Sequence, residues 1–110
     1  MWPLAEYITV GKAADIPAGQ ARVVVVQGRR VALCNVDGAF YAVDDTCTHD
    51  DGPLGEGTLD GFAIQCPRHG ARFDVRTGAV LRMPAAFPIR SYKTRIENGE
   101  VQVELEEVRR

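Results

Sequence analysis

The sequence predicts an all-β domain of antiparallel strands, and three observations support this prediction. Runs rich in β-branched residues recur along the chain, the clearest being the four consecutive valines at positions 23–26. Turn dipeptides such as Asp37-Gly38 and Asn98-Gly99 stand between these runs at short intervals. Residues 101–105 alternate apolar and polar side chains, which is the period of a strand with one buried face.

The predicted strands form one three-stranded meander followed by two hairpins. In chain order, the strands and the turn dipeptides between them are 21–26, Gln27-Gly28, 31–36, Asp37-Gly38, 39–43, 58–59, Asp60-Gly61, 62–65, 92–96, Asn98-Gly99 and 101–105. Because each dipeptide carries a glycine that tolerates a positive φ, consecutive strands are expected to pair antiparallel.

Three segments do not have the pattern of strands and are predicted to be loops: residues 46–57, 67–71 and 83–88. The first two are rich in glycine and proline, and the third contains two prolines. Such residues let a backbone fold tightly around a bound group. The interpretation as ordinary surface loops also stays open.

Length and composition predict a single globular domain over residues 1–110. Hydrophobic residues make up 45% and charged residues 25% of the chain, which is an ordinary balance for a folded protein. The net charge of −2 offers no basic face for nucleic acid. Because the chain shows neither a secretory leader nor about 20 consecutive apolar residues, we expect no membrane anchor and a cytoplasmic location.

The cysteines and histidines form two short motifs, Cys47-Thr48-His49 and Cys66-Pro67-Arg68-His69. The chain has two histidines and three cysteines, so these motifs use both histidines and two of the cysteines. Each motif falls in a predicted loop, and the hairpin over residues 58–65 would bring the two loops side by side. Metal ligation is therefore a stronger interpretation than a disulfide framework.

A C-x-H motif paired with a C-x-x-H motif resembles the Rieske family of iron–sulfur proteins, in which two histidines replace two cysteines on one iron. The similarity extends to residues 69–74, to Thr77-Gly78 and to the third predicted loop, residues 83–88, which we call the proline loop. The resemblance implies one 2Fe-2S cluster per chain, with Cys47 and Cys66 on one iron and His49 and His69 on the other. It also implies stacked antiparallel sheets with the cluster-binding loops at one tip.

Nearly the whole chain resembles the ferredoxin component of bacterial aromatic-ring-hydroxylating dioxygenase systems. This resemblance implies a soluble one-electron carrier that docks transiently with a flavin-dependent reductase and then with a terminal oxygenase. The carrier would not be an enzyme itself, because both histidines are committed to the cluster and no dinucleotide-binding fingerprint is present. The sequence does not distinguish a monomer from a weak dimer.

The resemblance also predicts a reduction potential above that of four-cysteine clusters but low among Rieske proteins. Two ferric ions, two sulfides and two thiolates sum to zero charge, so adding an electron costs less than in a four-cysteine cluster. High-potential Rieske proteins add a disulfide, a serine and a tyrosine, whereas Gly52, Arg68, Ala71 and Phe73 occupy those positions here. Without hydroxyl donors to the sulfurs we expect a potential near the low end of the Rieske range, about −150 mV.

Two other interpretations use the same four ligands. A structural zinc site is one, although its usual spacing pairs cysteine with cysteine and histidine with histidine. A Rieske-like small subunit of a reductase, or a redox sensor, is the other. Tight co-purification with a large subunit would favour the latter.

The remaining conspicuous residues have simpler interpretations. Cys34 is expected to be a buried thiol without a function, and Trp2, Phe40 and Phe73 are expected to be packing residues. Several acidic residues surround the first predicted loop and could steer partners electrostatically. They are Asp44, Asp45, Asp50, Asp51, Glu56 and Asp60.

Overall fold

The computed structural model describes residues 4–45, 55, 57–67, 70–83 and 87–107, and for residues 4–6 and 105–107 it describes the backbone alone. The described residues contain β-strands, one short 3-10 helix at Ala13–Asp15 and no α-helix. The strands are β1 Leu4–Lys12, β2 Ala21–Val26, β3 Arg29–Val36, β4 Ala39–Asp44, β5 Thr58–Asp60, β6 Ala63–Gln65, β7 Arg72–Asp74, β8 Val80–Arg82, β9 Ser91–Tyr92, β10 Thr94–Glu97 and β11 Glu100–Glu107. The all-β prediction is confirmed.

The strands form three antiparallel sheets with the orders β1-β11-β10, β2-β3-β4-β9 and β5-β6-β7-β8. The predicted meander is the run β2-β3-β4 of the second sheet, in which Val24 pairs with Val31 and Cys34 pairs with Tyr41. We call the second sheet the middle sheet and the β5–β8 sheet the loop sheet, because in sequence the first predicted ligand motif precedes its strand β5 and the second lies between its strands β6 and β7.

Three hairpins have the two-residue turns expected from their dipeptides. Gln27 and Gly28 have φ values of 51° and 80°, and Asp37 and Asn98 each have a φ of 53° before a glycine that is also positive. Two successive positive φ values match the twist of antiparallel strands, which is why asparagine, aspartate and glycine are favoured there.

Buried apolar side chains lie on both faces of the middle sheet. One face packs against the loop sheet, where the buried residues include Cys34, Val43, Ile64, Cys66, Ala71 and Phe73. The other face packs against the first sheet through residues that include Val31, Leu33, Phe40, Val101 and Val103. Six consecutive residues of β3, from 31 to 36, are therefore buried. The predicted stacking of antiparallel sheets is confirmed, as is the packing role of Phe40 and Phe73.

The structure differs from the sequence prediction in three places. The single strand predicted over 92–96 is divided at Lys93, where the chain passes from β9 in the middle sheet to β10 in the first sheet. The turn between β5 and β6 is Gly61-Phe62 rather than Asp60-Gly61, because Asp60 pairs directly with Ala63. Strands β1, β7 and β8 were not predicted, and β7 and β8 have three residues each, too few for a pattern to stand out.

No helix in the part of the chain that the structure describes has the length and apolar character required to cross a membrane.

Candidate metal centre

Of the four predicted ligands, Cys66 is described, whereas Cys47, His49 and His69 lie outside the described residues. Most of the first predicted loop, including Gly52 and the acidic residues 50, 51 and 56, lies outside them as well, as do Trp2, Arg68 and residues 84–86 of the proline loop. The site can therefore be built from Cys66 and from the described residues at which the loops begin and end.

Cys66 lies directly after β6, at the start of a tight turn. Its backbone N–H donates to the carbonyl oxygen of Ala71 at 2.7 Å, and its own carbonyl oxygen accepts from the N–H of Gly70 at 3.1 Å. Gly70 has a φ of 79°, a conformation that glycine adopts without steric cost. These bonds turn the chain back immediately after the thiol and lead it into β7.

The Cys66 side chain is suited to hold a metal from inside the protein. The residue is 1% exposed and its sulfur forms no disulfide. Ala71 and Phe73, which belong to the same buried cluster, are fully buried as well. Neither carries a hydroxyl group that could donate a hydrogen bond to a nearby sulfur.

The hairpin of β5 and β6 brings the ends of the two predicted loops together. Thr58 pairs with Gln65, so the residue that ends the first loop and Cys66, which begins the second motif, lie at the same edge of the loop sheet. The expectation that this hairpin places the loop ends side by side is confirmed.

The start of the first loop is held by Asp45, a residue whose role the sequence did not reveal. Its carboxylate accepts from the backbone N–H of Gly55 at 2.6 Å and from Nε of Arg30 at 3.0 Å. The Asp45 side chain has no exposed surface. A single sequence offers little sign of this, because the run Asp44-Asp45 has the same appearance as a solvated loop.

The structure changes which of the acidic residues can steer partners. The prediction that Asp45 steers partners is wrong, because its carboxylate is buried and neutralised by Arg30. Asp44 accepts a hydrogen bond from the Tyr92 hydroxyl. Asp60 remains an exposed carboxylate, with its side chain 71% accessible and its nearest Arg72 nitrogen at 3.5 Å.

Cys34 is the buried thiol that the sequence predicted. It is fully buried on the middle sheet, and burial raises its pKa to about 12. A thiol with this pKa stays protonated at neutral pH and is a poor ligand or nucleophile. The expectation of a packing role without chemistry therefore fits its surroundings.

Fold and site together define a small β-protein of stacked antiparallel sheets, with a buried cysteine in a tight turn at the edge of one sheet. The family profile of the Rieske 2Fe-2S domain matches residues 6–93, which is most of the chain. The chain belongs to the Rieske 2Fe-2S family.

Individual relatives agree with this assignment. The ferredoxin component of the naphthalene 1,2-dioxygenase/salicylate 5-hydroxylase systems of Ralstonia sp is 42% identical over 92 residues, which are 84% of this chain and 88% of the relative. The structure of the Sphingomonas yanoikuyae B1 ferredoxin superposes with a TM-score of 0.85 at 34% identity, covering 91% of this chain and 99% of that chain.

A third similar protein comes from a complex. In the structure of reduced oxygenase with oxidised ferredoxin in carbazole 1,9a-dioxygenase, one chain is 40% identical and has a TM-score of 0.83. The match covers 88% of this chain and 91% of that chain. These similarities show that the chain is an electron-transfer component with one Rieske 2Fe-2S cluster, and not a catalytic enzyme.

Proposed function

We propose that this chain carries single electrons from a flavin-dependent reductase to the terminal oxygenase of an aromatic-ring dioxygenase system in the cytoplasm. The observation that carries the proposal is the similarity to the chain found with an oxygenase in the carbazole 1,9a-dioxygenase complex, at 40% identity over 88% of this chain. The naphthalene and p-cumate relatives are likewise named as ferredoxin components of dioxygenase systems.

The proposed cluster ligands are Cys47, His49, Cys66 and His69. Two arguments support this set: Cys66 is a buried thiol in a tight turn, and the β5–β6 hairpin joins its motif to the end of the loop that contains the other motif. When bound, the cluster supplies a one-electron couple. The thiolates would neutralise the iron and sulfide charge, while the neutral imidazoles would keep the oxidised site uncharged.

Transient docking is supported by exposed apolar side chains in and next to the third predicted loop, residues 83–88. Leu81, Met83 and Phe87 are 54%, 80% and 68% exposed, a large fraction for apolar residues so close in sequence. Redox partners commonly meet through interfaces below about 1,200 Å², which permits rapid dissociation. The proposal includes a single domain over residues 1–110 that exchanges partners as a monomer or weak dimer.

Metal analysis of the purified protein tests the cluster directly. We expect about two irons and two acid-labile sulfides per chain, with the visible absorption and circular dichroism of a Rieske centre. A colourless protein with one zinc ion would contradict the proposal and favour the structural zinc site.

Ligand variants test the residue assignment. We expect His49→Ala and His69→Ala to abolish the Rieske spectrum, because each removes one of the imidazoles that complete an iron's coordination. Cys34→Ala is the matched control: it removes a cysteine that lies on the middle sheet, so the spectrum should persist. A normal cluster spectrum in either histidine variant would reject the assignment.

The carrier role is tested by reconstitution. Addition of the protein to a flavin-dependent reductase and an aromatic-ring oxygenase should restore electron flow that neither enzyme supports alone. Permanent association with one large subunit, without turnover between two partners, would instead support a reductase subunit or a sensor.

A further inference from the structure

We propose that Asp45 is a positioning residue for the cluster: its carboxylate ties the chain two residues before Cys47 to Gly55, and so fixes the span of the segment that carries Cys47 and His49. The inference rests on the proposed function in one respect, the assignment of those two residues as ligands. Asp45 acts through the loop, since its carboxylate is occupied by protein groups.

Both oxygens of the Asp45 carboxylate are engaged. Oδ1 accepts from the Gly55 backbone N–H at 2.6 Å, and Oδ2 accepts from Nε of Arg30 at 3.0 Å and forms an ion pair with Nη2 of Arg30 at 2.9 Å. The Asp45 backbone N–H also donates to the Arg30 carbonyl oxygen at 3.2 Å. A fully buried carboxylate is costly unless it is paired and hydrogen-bonded, so this arrangement holds Asp45 in one conformation.

Gly55 allows the chain to come this close. A Cβ atom at position 55 would lie 2.2 Å from Cγ2 of Val23 and 3.0 Å from Oδ1 of Asp45. The backbone there is pressed against β2, and its N–H points at the carboxylate. The geometry therefore requires a residue without a side chain at the point where the loop returns.

Together these contacts fix the distance between Asp45 and Gly55, the described residues on either side of positions 46–54. Asp45 directly follows β4, and the backbone N–H of Gly55 is bonded to its carboxylate. A segment with fixed ends samples fewer conformations, so less entropy is lost when its ligands bind metal. Supporting hydrogen bonds of this kind orient metal ligands and tune the bound metal.

The test uses the purified holoprotein and three carboxylate variants. Asp45→Ala removes both functions of the side chain, whereas Asp45→Asn keeps an oxygen that can accept from Gly55 but loses the ion pair. Asp60→Asn is the charge-matched control, because Asp60 is an exposed carboxylate in the loop sheet. Cluster loss under a chelator is followed by the Rieske circular dichroism signal.

We expect Asp45→Ala to lose the cluster about tenfold faster than the wild-type protein, since the hydrogen bonds of a buried carboxylate to Gly55 and Arg30 are removed. Asp45→Asn should lie between the two, and Asp60→Asn should match the wild type. A second readout separates positioning from general destabilisation: the electron paramagnetic resonance g-values of the reduced cluster should shift in Asp45→Ala and return towards wild type in Asp45→Asn.

The outcomes are distinguishable. A wild-type protein without a Rieske signal would overturn the proposed function, whereas a wild-type cluster with equal loss rates in Asp45→Ala and Asp60→Asn would overturn the positioning role alone. Faster loss with unchanged g-values in Asp45→Ala would also overturn it, because that pattern indicates a general loss of stability.

A second pair of variants applies if Asp45→Ala does not fold. Gly55→Ala should shift the g-values and speed cluster loss, and Val23→Ala in the same chain should partly reverse both effects by removing the Cγ2 atom that the new methyl group meets. Wild-type behaviour of Gly55→Ala would overturn the proposal.

Discussion

Gly78 leaves no space for a side chain. Its φ is 83°, and a Cβ atom there would lie 1.9 Å from the carbonyl oxygen of Ile89. Two backbone hydrogen bonds fix this approach, one from the Gly78 N–H to the Asp74 carbonyl at 2.7 Å and one from the Ile89 N–H to the Gly78 carbonyl at 2.9 Å. Position 78 thus joins the loop sheet to the segment that follows the proline loop.

Alanine at position 78 should therefore destabilise the protein more than alanine at a turn glycine. Gly99 is the matched control, because its φ is 77° but no atom lies within 4 Å of its Cβ position. We expect Gly99→Ala to lower the free energy of unfolding by about 1 kcal/mol, and Gly78→Ala by a further ~1–3 kcal/mol for the steric overlap. Equal losses in denaturant titrations would contradict this account.

The side chains of Ala71 and Phe73 are expected to influence the reduction potential of the cluster. Both are fully buried in the same apolar cluster as Cys66, and neither offers a hydroxyl to a nearby sulfur. We expect a midpoint potential of about −150 mV, and a higher value in the double variant Ala71→Ser, Phe73→Tyr, because hydroxyl donors stabilise added negative charge. A redox titration followed by circular dichroism measures both, and a wild-type value well above zero would refute the expectation.

The turn between β7 and β8 depends on an ionised aspartate. Asp74 accepts from the backbone N–H of Arg76 at 2.8 Å and from its Nε and Nη2 at 3.0 and 2.9 Å. The side-chain hydrogen bond from Arg76 lowers the pKa of Asp74 below the usual 3.8, more than burial raises it. The charged form of Asp74 is therefore favoured by folding.

This direction determines the pH dependence. A carboxyl whose pKa is lower in the folded state stabilises the fold above the unfolded-state pKa, and the contribution disappears as pH falls through the folded-state pKa. We expect Asp74→Asn to be less stable than wild type at pH 7, with the difference constant down to about pH 5 and shrinking below it. Thermal unfolding of both proteins between pH 3 and 7 tests this, and a difference that grows on acidification would contradict it.

Strand β3 is a central strand of the middle sheet, and six of its consecutive residues are buried. It pairs with β2 and β4 along its length, and its side chains enter both apolar clusters, Cys34 on one face and Leu33 on the other. A strand buried on both faces has a continuous apolar sequence instead of an alternating one. This explains why residues 31–36 show no period of two.

At the scale of the whole molecule, the middle sheet has a long strand that is buried on both faces, whereas the four strands of the loop sheet have three residues each. Short strands form few ladder bonds, so their stability depends on the groups attached to their ends. Because the proposed ligand Cys66 lies at such an end, the bound cluster would contribute to the stability of the loop sheet.

Removal of the cluster should accordingly loosen one sheet and spare the other. In hydrogen exchange of the apoprotein we expect amides of β5–β8 to lose most of their protection, whereas amides of β3 remain slow. The holoprotein is the reference for each amide. Uniform loss of protection in both sheets would show that the protein unfolds as one unit when the cluster is removed.

Local sequence patterns were enough for the meander and for three hairpin turns. Asp37-Gly38 and Asn98-Gly99 consist of residues that tolerate positive φ values, and Gln27-Gly28 contains one such residue, Gly28. This tolerance is a property of the residues themselves, independent of distant parts of the chain. The paired motifs around Cys47 and Cys66 pointed to the Rieske family for a similar reason, because the ligand types and their spacing are readable along the chain. These predictions needed no knowledge of which strands lie adjacent.

Other features depend on contacts between residues far apart in the sequence. The buried carboxylate of Asp45 is bonded to Arg30 and Gly55. The lack of space at Gly78 is due to the backbone of Ile89. Where the chain passes between sheets at Lys93, the carbonyl oxygen of Lys93 accepts from the N–H of Glu104 at 2.8 Å. No local pattern encodes such partners, because the way the sheets stack determines which distant residues come into contact. A carboxylate beside the ligand loop could therefore be mistaken for a solvent-exposed charge until its neighbours were known.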